Sequence, residues 1–524
     1  MAITEPDAII IGGGHNSLAC ASHLAVKGWK VLVLEKAEVA GGAVKSGEYT
    51  DPGFQHDWAT MNLSLFGGSK FFQKYEKELI LNGLEFVPTK NCFASVFPED
   101  KWLGISNDLS NNLNQISKFS KEDSRAWKEL SENFPEEATT IFGLLGNKLS
   151  FKNLIFLFFS IVRKKGIGGA MDFIRFLLMS PRAWLDETFK SRYLKSTLAA
   201  WGMHLDFSPD TAGGALFPYL EAMTNQSFGM VLGKGGADTI IKAMIGLIHS
   251  KEGSVECNSE VSEVIQESGR AIGVRLIDGK IIKAKRCVIA NVSPSALLKL
   301  VNQFDNSRYS NGLSNFKHAP GTMMIHLSMN QLPDWKAGAE LKDFAYVHIA
   351  PSLEQMAKTY QQAIEGLLPD RPIIVVGQPT SVDSSRAPLG KHILWIQVRM
   401  VPGQINGDAS KQIKENDWSK IKDIYAERVL NIIEEYAPNT KEKIIKRRVI
   451  SPLELEKDNP NLVFGDQICG SHHLGQHFIF RPVRGYTDGT TPIPNLYHTG
   501  AAIWPGAGAG AGSGYLLGRK LAGD

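Results

Sequence analysis

The 524-residue sequence predicts an α/β protein: a Rossmann-like dinucleotide-binding domain into which a mixed-sheet domain and a helical subdomain are inserted. Three observations predict it. A strand–glycine loop–helix–strand–acid unit opens the chain at residues 7–35. A second glycine-rich loop feeds a helix at residues 500–521. Between them lie strand candidates at 322–400 that belong to neither unit.

The first unit is the most informative. Asp7 is followed by Ala8-Ile9-Ile10-Ile11, an apolar run of strand composition. Gly12-Gly13-Gly14-His15-Asn16-Ser17 then forms a G-x-G-x-x-S variant of the dinucleotide fingerprint, with Ser17 at the third glycine position. Asn16 to Lys27 carries Leu18, Ala21, Ala25 and Val26 at helical spacing, and Gly28 is the expected left-handed cap. Lys30 to Leu34 reads as a second buried strand with Glu35 at its tip. Gly12 permits the tight turn, and Gly14 lets a pyrophosphate approach backbone N–H groups at a helix N-terminus. Ser17 is small enough to keep the helix near the strand. Glu35, about twenty residues past the glycines, is placed to accept hydrogen bonds from an adenosine ribose and to repel a 2′-phosphate.

A second glycine pair, Gly41-Gly42, follows within Val39-Ala40-Gly41-Gly42-Ala43-Val44, and then Asp51-Pro52-Gly53-Phe54. NAD dehydrogenases generally continue into another helix here, whereas a second close backbone approach suits the flavin half of FAD. On these residues the sequence resembles the phytoene desaturase-like flavoproteins, which include carotene desaturases, carotenoid isomerases, carotene ketolases and retinol saturases. Monoamine oxidases, more distant cousins, usually carry arginines flanking the glycine pair; Val39 and Ala43 stand there in this chain.

Composition bounds the rest. The length suffices for two or three domains' worth of core. A net charge of +3 is too small to imply nucleic acid. Five cysteines without a C-x-x-C pair exclude a close-spaced redox disulfide or zinc ribbon and suit a reducing, cytoplasmic compartment. Met1 to Pro6 lacks the pattern of a signal peptide.

Along the chain, the resemblance implies that residues 51–66 run toward the flavin ring, which makes His56 and Asp57 candidates for the active-site wall; the alternative is a polar turn. Residues 67–150 carry no chemical signal, with a helix start at Ser120-Lys121-Glu122-Asp123. Leu154 to Val162, followed by Arg163-Lys164-Lys165 and a second apolar group at Phe173 to Met179, is too short to span a bilayer. A tunnel-lining helix, a core helix and an interfacial helix on anionic lipid all stay open for residues 151–180. His204, Asp206, Tyr219 and Glu221 lie among apolar residues and are candidate cavity groups or structural residues.

Gly233-Lys234-Gly235-Gly236-Ala237-Asp238 reads as the turn returning the chain to the nucleotide domain. The resemblance implies that the backbone at Val261 contacts adenine. Ile272 to Lys280 is a hairpin with an Asp-Gly turn, and Cys287 to Asn291 is a last apolar strand. Strands are expected at Thr322–Met329, Phe344–Ile349, Ile373–Gly377 and Ile393–Met400, and an amphipathic helix over 409–436. The resemblance also places an Asn-Pro-Asn and Gly-Asp run, here Asn459-Pro460-Asn461 and Gly465-Asp466, near the flavin. His472, His473 and His477 lack a carboxylate or cysteine at ligand spacing, so no metal is expected. Gly500 and Trp504 to Gly514 form the glycine-rich loop, whose following helix, Tyr515 to Leu521, is expected to face the flavin pyrimidine with its N-terminus.

The expected domains are an FAD-binding domain in three pieces (1–66, 229–300 and 451–524), a helical and substrate region at 67–228, and a substrate region at 301–450. Candidate cofactor contacts are Gly12, Gly14, His15, Asn16 and Ser17 on the first loop, Glu35 and Lys36 at the ribose end, and Gly41, Gly42 and Ala43 at the second glycine pair. Val261 and Asn291 belong to the middle piece, and Gly500, Ala501, Gly510 and Ala511 to the last. Candidate catalytic residues are His56, Asp57, His204 and Glu221. The expected activity is FAD-dependent: a hydride passed to flavin N5 from a hydrophobic polyene or lipid-like substrate, or isomerisation of one. The alternatives are a flavin oxidase of amines or alcohols and a non-catalytic flavin-binding interaction protein.

Overall fold

A five-stranded parallel sheet draws strands from residues 8–34, 254–290 and 496–498. The computed structural model describes residues 5–149, 151–301, 304 and 306–524; Met1–Thr4, part of the segment read for a leader, lie outside them. Strand order runs Leu496–His498, Cys287–Ala290, Ala8–Ile11, Val31–Leu34, Ser254–Glu256. Ala8 pairs with both Cys287 and Val31, so the first strand is central, and all four of its residues are buried. Burial on two faces is why it reads as an unbroken apolar run. The helix His15–Val26 follows the glycine loop, one residue from its expected start. Gly28 takes φ 84° as the turn out of that helix requires. The Asp-Gly hairpin is present as Arg270–Leu276 against Ile281–Lys283, part of a three-stranded antiparallel sheet.

The second body is a seven-stranded sheet ordered Ile444–Ile450, Gly321–Met329, His392–Val401, Ile373–Gly377, Tyr346–Ile349, Asn91–Phe97, Lys101–Ser106. All four expected strands are in it. Two further strands come from residues 91–106, where sequence reading found no strand signal, and a third is Ile444–Ile450. Strand alternation sorts this sheet's side chains between two cores. Leu394, Ile396 and Val398 pack with Val347, Ile349, Ile374 and Val376 against the helix Trp418–Tyr436. That helix starts later than the expected residue 409. Asp417 caps it by accepting from Ser419 N, and Asp408 instead holds the preceding turn through Gln412 N and Ile413 N. The opposite face, including Trp395 and Tyr346, packs with helices Lys121–Leu145, Pro181–Thr188, Arg192–Gly202 and Leu216–Phe228. Ser120 caps the first of these from its side chain to Asp123 N, as expected.

Residues Phe151–Leu178 are helical, broken at Gly166 (φ 73°). Leu154, Leu157, Ile161 and Ala170 turn inward, whereas Phe156, Phe159, Ile167 and Met171 are exposed, at 76%, 64%, 71% and 56%. The segment is therefore not a fully buried core helix. Among the described residues no helix is long and apolar enough to cross a membrane.

Candidate FAD and substrate site

One groove of about 580 Å³ runs from the first glycine loop to the face of the mixed sheet. At one end Gly12, Gly13, Gly14, His15 and Asn16 line it. A Cβ on Gly13 would stand 2.9 Å from that of Ala40, and one on Gly14 3.0 Å from Asn291 Nδ2. Gly14 is the N-cap of the following helix and no side chain among the described residues caps it, so that anion-attracting end is left to a ligand. Glu35 lines the groove with Oε2 accepting from Gly13 N at 2.6 Å and Oε1 from Ala37 N at 2.8 Å, which aims the carboxylate at the ribose end. Lys36, Gly41, Gly42, Ala43, Val261, Asn291 and Ala501 are also on the wall. So are Asn459-Pro460-Asn461; Asn461 is held by Ser293 N at 2.7 Å and bonds the Asn291 carbonyl at 3.2 Å.

Four expected contacts lie behind the wall instead. Ser17 donates to the Gly12 carbonyl at 2.5 Å and accepts from Asn291 Nδ2 at 2.9 Å, so its hydroxyl ties the loop to the central strands. Gly500 packs on Asn291, where a Cβ would come 2.3 Å from Oδ1. Gly510 faces Leu65, and Ala511 is buried at the start of the last helix, which begins at Gly512 rather than Tyr515. The glycine-rich loop meets the groove earlier, at Ala507, Gly508 and Ala509. His15 Nε2 sits 3.1 Å from the Gly508 carbonyl, joining the two loops, and burial lowers its pKa to about 4.

The substrate-side wall corrects half of the catalytic candidates. His56 and Asp57 are fully buried away from the groove. Asp57 accepts from Ser46 Oγ at 2.7 Å, Ala237 N at 2.6 Å and Arg386 Nη1 at 2.5 Å, a structural knot. His56 meets Thr50 Oγ1 at 2.9 Å, and burial, then Arg386, lowers its pKa to about 3. Asp57 turns from the wall because a buried carboxylate goes where its cation is, and Arg386 lies 329 residues away.

His204 and Glu221 do line the cavity. His204 packs on Trp201 (ring centroids 4.7 Å) and His348 (5.4 Å), and burial pushes its pKa well down. Glu221, on Leu216–Phe228, has Asn225 Nδ2 at 3.3 Å as its side-chain partner, and burial raises its pKa to about 7. Asp206 is instead bonded by Tyr360 and His473, and Tyr219 by Glu137.

Trp201, Tyr346, Trp395, Gln397, Arg399 and Gln467 complete the wall and were not singled out from sequence. Trp395-x-Gln397-x-Arg399 within an apolar strand is a period-two polar signal that marks three of them. His472, His473 and His477 diverge: His472 Nε2 accepts from Ala507 N at 3.0 Å, His473 Nε2 lies 2.8 Å from the Asp206 carbonyl, and His477 packs on Trp504. Among the described residues no group of three or more His, Cys, Asp or Glu is placed to hold a metal.

The groove's unfilled helix end, its glycine cradle and the inward ribose acid fit FAD. Residues 18–419 match the flavin containing amine oxidoreductase family, and the chain belongs to it. It is an FAD-dependent oxidoreductase or isomerase of the phytoene desaturase type. The chain is 26% identical to pyridine nucleotide-disulfide oxidoreductase domain-containing protein 2 of Rattus norvegicus, over 99% of this chain and 94% of that one. It is 26% identical to the chloroplastic prolycopene isomerase of Daucus carota (99% and 80%) and 24% to a limonene dehydrogenase chain of Castellaniella defragrans (100% and 95%). In fold it resembles a putrescine oxidase variant (TM-score 0.62, 14% identity, 99% and 98% covered) and an oxidoreductase from Methanosarcina mazei (TM-score 0.60, 17% identity, 99% and 100% covered).

Proposed function

We propose that this enzyme desaturates or isomerises a hydrophobic polyene or other lipid-like molecule. The observation that carries this reading is the wall of Trp201, Tyr346, Trp395, Met61 and Leu205 continuing the FAD groove. The named activities of the carrot isomerase and the limonene dehydrogenase point the same way.

Bound FAD supplies a two-electron acceptor. The chain's own part is to hold a C–H bond beside it, to exclude water with aromatic faces, and to take the departing proton. Glu221 is the group that takes the proton. It lies in the cavity wall and meets no counter-ion among the described residues, so its carboxyl exchanges a proton near neutral pH.

We further propose that residues 151–178 dock on a bilayer. Exposed Phe156, Phe159, Ile167 and Met171 provide the apolar face, and Lys152, Arg163 and Lys164 provide charge for anionic lipid. A lipophilic substrate then reaches the cavity from the membrane.

Anaerobic mixing of the FAD-loaded protein with a panel of polyenes, terpenes, amines and alcohols tests the substrate class. Bleaching of the flavin, or double-bond isomerisation, with the polyene or terpene group is expected. Bleaching by amines alone contradicts the reading.

A further inference from the structure

Arg399 is a buried cation without an anion. It is 5% exposed and lines the cavity, yet among the described residues no carboxylate comes within ion-pairing distance of it. Its donors meet neutral oxygens: the carbonyls of Met203 and His204, Thr322 Oγ1 at 3.2 Å and Gln467 Oε1 at 3.4 Å. Burial lowers its pKa only to about 10, so it keeps its charge. The acids whose fields reach it are engaged elsewhere. Asp466 accepts from Ala319 N, Ile468 N and Gly470 N, and Asp206 is bonded by Tyr360 and His473. A buried charge left in this state is costly unless a ligand completes it.

Gln467 adds a second donor. Its Oε1 accepts from Gln397 Nε2 at 2.5 Å as well as from Arg399, and this fixes the amide. Its Nε2 is thereby left against Met324 Sδ at 3.3 Å, a weak acceptor. This end of the cavity therefore holds an unpaired cation beside an amide N–H that meets only a thioether. The acids along the groove do not restore the balance. Glu35 and Glu260 belong to the ribose end, Asp458 pairs with Lys45 at 2.7 Å, and Glu221 bonds Asn225.

We propose that the substrate is an amphipathic lipid ending in a carboxylate, which Arg399 and Gln467 hold while its apolar chain lies along Trp201, Tyr346 and Trp395. This rests on the hydrophobic-substrate reading above and narrows it. A carboxylate satisfies a guanidinium and an amide N–H together, and such charge-assisted bonds strengthen where water is excluded.

The test is titration of the FAD-loaded enzyme with a conjugated polyene acid, the alcohol and hydrocarbon of the same chain, and the matching amine, followed by perturbation of the flavin spectrum. The acid is expected to bind about 10- to 100-fold tighter than the alcohol. Arg399→Gln is expected to remove that preference while the alcohol and hydrocarbon keep their affinities, and Arg399→Lys to restore part of it. The wild-type series decides the matter even where a variant folds poorly. Equal binding of acid and alcohol overturns the proposal and leaves the hydrophobic-substrate reading standing; tightest binding of the amine overturns both. A variant that weakens every ligand alike and shifts the flavin midpoint potential assigns Arg399 to the cofactor, which also overturns the proposal.

Discussion

Asn16 and Ser513 stand 497 residues apart in sequence and 3.0 Å apart in space, with the serine hydroxyl donating to the asparagine Oδ1. Ser513 Oγ also accepts from Gly500 N at 3.1 Å. The first glycine loop and the last one are thus tied behind the FAD groove, and the helices His15–Val26 and Gly512–Ala522 pack directly on each other.

That contact predicts a sensitive glycine. A Cβ at Gly514 would lie 1.7 Å from the Asn16 carbonyl oxygen. Gly514→Ala is expected to push the helices apart, costing about 1–3 kcal/mol, and to lower flavin occupancy. Thermal unfolding and the flavin-to-protein absorbance ratio measure the two effects; an unchanged pair of values contradicts the packing.

Asp57 and Arg386 hold the fold rather than the substrate. Both side chains are fully buried, and Arg386 Nη2 also bonds the Gly233 carbonyl at 2.6 Å. Arg386→Met strands the carboxylate and is expected to cost about 3–5 kcal/mol in urea unfolding. The pH profile of turnover should keep its shape, because neither group touches the cavity.

Glu221 sets a pH dependence of both stability and rate. Its pKa is raised from 4.5 to about 7 by burial, so between those values the folded chain holds a proton that the unfolded chain has lost. This contribution is full below pH 4.5 and fades as pH rises through about 7, a change of about 3 kcal/mol. Glu221→Gln mimics the neutral form. It is expected to flatten that slope in unfolding measured from pH 5 to 8, and to abolish the rising limb of the rate near pH 7. A variant that keeps the limb assigns it to another group.

Membrane docking is testable at two exposed rings. Phe156→Ser with Phe159→Ser is expected to reduce sedimentation with anionic liposomes by about 10-fold or more, since each ring contributes about 1.5–3 kcal/mol on burial. Neutral liposomes should hold the wild type less well than anionic ones. Equal sedimentation of variant and wild type contradicts the docking.

The sheet and the FAD half of the groove were legible because their signals are local. A strand, a glycine turn and an acid about twenty residues on need no knowledge of the rest of the chain. The strands at 321–329 and 373–377 were legible for the same reason, as dense β-branched and apolar runs. Asp57 was misplaced because its partner, Arg386, is remote and no local pattern pairs them. The strands at 91–106 are short, and Asn91 and Lys101 dilute the apolar pattern at their ends. The substrate wall was legible in principle: Gln397 and Arg399 alternate with Ile396 and Val398, and strand geometry alone puts the two polar residues on one face.

The most direct test of the account is the absorption spectrum of the purified protein beside that of Gly14→Glu, with the released chromophore identified after denaturation. One FAD per wild-type chain and none in the variant are expected, because the glutamate would fill the helix end with side chain and negative charge. A wild-type protein that takes up no flavin on reconstitution, or a fully loaded variant, contradicts the FAD groove on which the rest depends.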